Sequence, residues 1–264
     1  MTSNKKPIIL AFISLIAYLA MITINGLANA LPLNGQNTGE VSAKYETLFA
    51  PAGITFSIWG VIYLLLLGFV IFQIRAAFSS NKAGLVKTRV LVLFILSCIF
   101  NGLWIFTWHY DKLGISVILM LFLFAFLLKI FLDIEAMSSK KTAVQIFVKI
   151  PFGIYLGWVS VATVANIAAW LVSLGWTGAF FSPEIWTVIM ISIATVLGLL
   201  MLFTRNNFAY ALVIIWALLG ILIKNNHRAL PIPSIHISTL AGIVITVAIM
   251  GLILGRKVLK PKKN

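Results

Sequence analysis

Residues 150–174 read IPFGIYLGWVSVATVANIAAWLVSL, a stretch without a single charge. A run this long and apolar spans a bilayer as a helix, because in hydrocarbon the backbone N–H and C=O groups have no water to pair with. At about 100° per residue, Tyr155, Trp158, Ala162, Asn166 and Trp170 share one broad stripe. Two kinds of aromatic ring and a carboxamide on one face suggest a site, and the small Ala162 between larger residues predicts a hollow beside the rings. Gly153 and Gly157 form a GxxxG pair, which permits close approach of another helix.

The rest of the chain repeats the pattern. Of 264 residues, 61% are hydrophobic and 10% charged, with a mean hydropathy of +1.08. Soluble domains run near about 45–50% apolar and about 25% charged, so a water-soluble fold, a disordered chain and a disulfide scaffold are excluded. Apolar runs cover 8–30, 54–74, 90–108, 113–132, 150–174, 185–203, 208–223 and 240–255. They are too long and too uniform for barrel strands. The expected fold is an all-α polytopic membrane helix bundle of about eight transmembrane helices.

The net charge is +14 and the pI about 10.1. The basic residues lie between apolar runs, so they are read as setting membrane orientation rather than binding nucleic acid. With a cytoplasmic N-terminus, sixteen of the twenty Lys and Arg fall inside, and only Lys44, Lys112, Lys224 and Arg228 outside. Both termini are therefore expected in the cytoplasm and the chain in the plasma membrane. Lys5 and Lys6, the apolar run and Ala28-Asn29-Ala30 also resemble a signal peptide. The eight-span reading retains that segment; cleavage would leave seven. Cys98 is the single cysteine, and His109, His227 and His236 are scattered. No HExxH, P-loop or strand-to-helix GxGxxG occurs.

The 31–53 connector carries Pro32, Asn34-Gly35, Gly39, Glu40 and Glu46, and fits a lid over the bundle as well as a plain link. Residues 75–89 and 137–149 read as polar connectors, 229–234 as a turn stiffened by Pro231 and Pro233, and 256–263 as a basic tail. Polar and aromatic residues inside spans mark the candidate site, because the bilayer penalises polar groups that face lipid. Trp59 and Tyr63 are four apart; Asn101, Trp104 and Trp108 share a face. Asn25 and Asn29, with Thr23, are placed to line a cavity opening. Trp108, Trp170, Trp176 and Trp186 lie near span ends and read as an interfacial belt. Asn101 and Asn166 suit interhelical hydrogen bonding as well as ligand contact. Lys129 and Asp133 are expected to pair locally, with Glu135 nearby, and Gly251 to Gly255 reads as a packing GxxxG.

At these residues the sequence resembles the tryptophan-rich sensory protein family, also called translocator proteins. Tyr155, Leu156, Trp158, Ala162, Thr163, Asn166 and Trp170 follow its fifth-span pattern. Pro51, Trp59, Tyr63 and Gly68 follow its second-span pattern, and Asn101 and Trp104 its third. The likeness covers about residues 1–174, with 175–264 adding three helices and a basic tail, so the chain divides there into two parts. It departs where the family has a second proline (Ala52), a further tryptophan (Ile54), a proline before the span's tryptophan (Ser57) and prolines after the third-span tryptophan (Ile105, Phe106).

The resemblance implies a five-helix bundle whose pocket opens toward the outer loop and takes flat hydrophobic molecules such as porphyrins, haem precursors or sterols. Trp59, Asn101, Trp158 and Ala162 match the family's ligand-contacting positions, and with Tyr63, Trp104, Tyr155 and Asn166 they make the expected ligand site. No catalytic or metal residues are expected. A porphyrin- or haem-like molecule is the implied ligand rather than a cofactor. The expected function is a sensor or carrier, with a secondary transporter and a light-dependent porphyrin-degrading protein as alternatives. The expected partners are the small molecule and the bilayer, not nucleic acid; a homodimer is left open.

Overall fold

A computed structural model describes residues 5–259 except 32, 46, 80–83, 138 and 140, without the side chains of 257–259. Pro32, Glu46, Lys82, Lys140, Lys260, Lys262, Lys263 and the side chain of Lys257 lie outside the described part. The long helices are α1 (Lys5–Ala30), α3 (Ile58–Phe78), α4 (Thr88–His109), α5 (Leu113–Glu135), α7 (Ile150–Ser173), α8 (Pro183–Arg205), α9 (Phe208–Asn226) and α10 (Pro233–Leu259). Two shorter ones are α2 (Thr38–Lys44) and α6 (Thr142–Val144). Among the described residues, eight helical segments are long and apolar enough to cross a membrane.

Three connectors are more ordered than their composition predicts. Residues 142–149 are not a polar link: α6 runs through a π-helical turn, Gln145–Lys149, into α7. Pro233 begins α10, where its missing N–H costs nothing and its fixed φ suits a first turn; the last span thus starts well before residue 240. The 31–53 connector folds. Asn34 and Gly35 take positive φ (56° and 74°) in the expected tight turn. Asn37 then caps α2 in a capping box with Glu40, and Val41 is fully buried. This segment is a folded cap, resting on α4 and on the 3-10 turn Gly53–Ser57 that leads into α3.

Helices α1, α3, α7, α5 and α4 pack each on the next and close a ring. Phe69, Phe94 and Phe152 meet edge-to-face inside it. Outside the ring, α8, α9 and α10 pack against one another, and α9 joins them to α7. The expected GxxxG forms this joint: a Cβ on Gly157 would lie 3.1 Å from Val213 and 3.3 Å from the Tyr210 carbonyl, and one on Gly153 would meet the Asn207 side chain. Gly251 and Gly255 have nothing within 4 Å of an added Cβ, so the expected packing role for that pair is not seen. At the other end, Lys129 and Arg89 both pair with Asp133, and Lys149 with Glu135. The local pairing expected of Lys129 and Asp133 is present, and both carboxylates have cations beside them.

At Gly220, α9 packs tightly on the turn that leads into α3. The Gly220 carbonyl accepts from the Ala52 N–H at 3.0 Å, and a Cβ there would stand 2.1 Å from Thr55 Oγ1 and 2.8 Å from Pro51 Cβ. Gly220→Ala is expected to lower thermal stability in detergent, at a cost of about 1–3 kcal/mol from overpacking. Gly251→Ala, whose added methyl meets nothing, serves as the neutral control. Equal melting of the two variants would contradict the contact.

Candidate functional site

Trp59 of α3 is the hub of an aromatic cluster. Its ring stacks on Tyr63 (5.6 Å between centroids), lies 6.1 Å from Trp104 of α4, and meets Tyr155 and Trp158 of α7 edge-on at 5.9 and 6.3 Å. Such offset and T-shaped pairs suit the ring quadrupoles. Phe56, on the 3-10 turn, adds an edge contact to Trp158 at 5.9 Å. The rings expected from three spans do converge, but they fill most of the space they enclose. The hollow beside Ala162 is an inner cavity of about 30 Å³, lined by Trp59, Trp104, Trp108, Trp158, Ala162 and Asn166 among others.

Trp108 departs from its expected interfacial role. It is buried, stacked on Trp104, and donates its indole N–H to the Thr38 carbonyl of the cap at 3.3 Å. The two asparagines divide their expected tasks. Asn101 is fully buried, accepts from Asn25 Nδ2 at 2.7 Å and donates to Tyr155 Oη at 3.2 Å. Neither Asn101 nor Tyr155 lines a cavity opening on the cluster; both brace its walls. Asn166 Oδ1 accepts from Trp104 Nε1 at 3.0 Å and from Ser116 Oγ at 2.8 Å. Two donors on one oxygen fix which end of the amide is which, so Nδ2 is the free end. Asn166 Nδ2 and Trp158 Nε1 are buried without a partner, and both residues line the inner cavity. The site therefore offers two hydrogen-bond donors to an acceptor.

The larger space is an open vestibule of about 740 Å³ above the cluster. Trp59, Tyr63 and Phe56 form one wall, and Asn25 and Asn29 of α1, placed there from sequence, form another. The cap supplies Asn37, Thr38, Gly39, Glu40 and Ala43, and Lys224 of α9 closes the perimeter. Phe56 and Lys224 were not legible as site residues, because a 3-10 turn and a contact from a separate helix group bring them in.

The cap is tied down at the α4–α5 turn. Lys44 and Tyr45 both hydrogen-bond the Asp111 carboxylate. Partial burial pushes the Asp111 carboxyl up, but the hydrogen bonds from Lys44 and Tyr45 and the Lys44 charge outweigh it and hold it below its ordinary value. Burial and the hydrogen bond to Asp111 push the Tyr45 hydroxyl up to about 12. A carboxyl depressed by folding stabilises the fold fully above its unfolded pKa of about 4, and that gain is lost as pH falls through the lower folded value. Amide exchange over residues 38–44 is therefore expected to show no step attributable to Asp111 between pH about 5 and 8, with protection falling only on strong acidification. Asp111→Asn is expected to reduce protection throughout the neutral range; unchanged exchange in that variant would remove the tether.

No curated protein and no solved structure matches the chain significantly. A family model described as TSPO-like protein matches residues 11–253, running through the five-helix ring and on through most of α10. On that match, and with the aromatic cluster and the eight apolar helices already in view, the chain belongs to the TSPO-like protein family.

Proposed function

We propose that the protein binds a flat, hydrophobic, porphyrin-like molecule in the vestibule and acts as a sensor or carrier for it in the plasma membrane, with both termini in the cytoplasm. The observation that carries this reading is the stacked Trp59–Tyr63 pair on the wall of a space of about 740 Å³. Small-ligand pockets span about 300–1,000 Å³, with mostly apolar walls and a few placed polar groups. The inner cavity, at about 30 Å³, holds roughly one water, so of the two spaces on the aromatic cluster it is the vestibule that has room for a macrocycle. The donors of Trp158 and Asn166 suit an acceptor atom reaching inward, or a water that bridges to one. The orientation rests on the sixteen-to-four distribution of basic residues.

Protoporphyrin titrated into the protein in nanodiscs is expected to quench tryptophan emission saturably and to shift its own absorption band. Tyr63→Leu and Trp59→Phe are each expected to weaken binding about tenfold, the scale of losing an aromatic stacking contact. Trp186→Phe, remote from the vestibule, is expected to bind as the parent does. Absence of saturable binding, or equal affinity in all four proteins, would overturn the proposal.

A further inference from the structure

The mouth of the vestibule carries positive charge from a part of the chain that lies outside the five-helix ring. A second space of about 410 Å³ is lined by Ala43 and Ala52 on one side and by Lys224, His227 and Arg228 on the other. Ala43, Ala52 and Lys224 also line the aromatic vestibule, so the two spaces share an edge. Basic residues at a helix C-terminus are ordinary, since Lys and Arg suit the helix dipole. The dipole does not explain why these three line one space opposite the cap. Nor does membrane orientation, which places few basic residues on this side: Lys224 and Arg228 are two of the four Lys and Arg counted there.

The α9 end is held in place for the role. Trp216 Nε1 donates to the Thr55 carbonyl at 2.9 Å, and Lys224 Nζ reaches the Thr47 carbonyl at 3.5 Å. Asn225 exchanges two hydrogen bonds with the Ile232 backbone, each at 3.1 Å, closing the turn that carries His227 and Arg228. Glu40, the acidic residue that lines the vestibule, is engaged by the Asn37 N–H at 2.8 Å in the α2 capping box.

We infer that Lys224, His227 and Arg228 form an anion-recognising rim, selecting amphipathic ligands whose apolar ring lies on Trp59 and Tyr63 and whose carboxylate reaches the mouth. The inference rests on the proposed function and narrows its ligand class from flat hydrophobes to flat hydrophobic acids. Arg228 is the strongest member, because its planar fork matches a carboxylate bidentately.

The test compares protoporphyrin, a dicarboxylic acid, with its dimethyl ester in nanodiscs of zwitterionic lipid, using the parent, Arg228→Gln, His227→Gln and the double variant. Lys224 is left intact because it also contacts Thr47. The parent is expected to prefer the acid about tenfold, the scale of a charge-assisted contact. The double variant is expected to bring the ratio near one while ester affinity stays unchanged. Added salt should weaken the acid and not the ester.

Equal parental affinity for acid and ester, or a ratio that the variants leave intact, overturns the rim while leaving the proposed function standing. Binding of neither compound overturns both. Repeating the titration with anionic lipid separates the remaining source of negative charge. If the variants weaken acid and ester alike and abolish only competition by anionic lipid, the rim serves headgroups and the inference fails.

Discussion

One carboxamide holds the aromatic site together. Asn166 Oδ1 on α7 accepts from Trp104 on α4 and Ser116 on α5, so a single oxygen sets three helices in register. In a bilayer, lipid tails are as apolar as the helix faces. Association therefore depends on close packing and on hydrogen bonds between helices, each worth about 0.6–2 kcal/mol. The Asn25–Asn101–Tyr155 chain does the same for α1, α4 and α7. These bonds hold α4 and α7 in the register in which Trp104 and Trp158 face Trp59 rather than lipid.

The same bonds decide what the site can recognise. With its oxygen saturated by two donors, Asn166 has only N–H left unpaired, as has the indole of Trp158, and both residues line the inner cavity. A buried donor left unpaired costs about 1–3 kcal/mol. The inner cavity is thus costly when empty and favourable when an acceptor or a bridging water occupies it.

The eight spans were legible because a bilayer leaves a helix no other way to satisfy its backbone, and uniform apolarity over a bilayer's thickness reads directly. The convergence of Trp59, Trp104 and Trp158 was legible from helical spacing, since a polar-aromatic stripe needs a protein neighbour. Three features were not. Trp108 is the penultimate residue of α4, where a belt residue and a buried one have the same sequence signature; the Thr38 carbonyl that decides between them comes from the folded cap. Residues 142–149 read as part of one polar connector, but the stretch TAVQIFVK is mostly apolar and runs on as helix into α7. The amount of room beside Ala162 depends on how Phe56 and Trp158 fill it, and periodicity carries no volume.

Neither the family match nor the packing stops at residue 174: the match runs on to residue 253, and the later helices pack on the earlier ones. Gly157 admits Val213 and Tyr210 against α7, Gly220 admits Pro51 and Thr55 against α9, and Trp216 bonds the Thr55 carbonyl. The 3-10 turn that delivers Phe56 and Trp59 therefore has α3 at one end and α9 along its flank. A turn with few internal hydrogen bonds takes its geometry from what it packs against. Helix α9 bears on the aromatic site through that turn, so the position of Trp59 depends on residues more than 150 positions away in sequence.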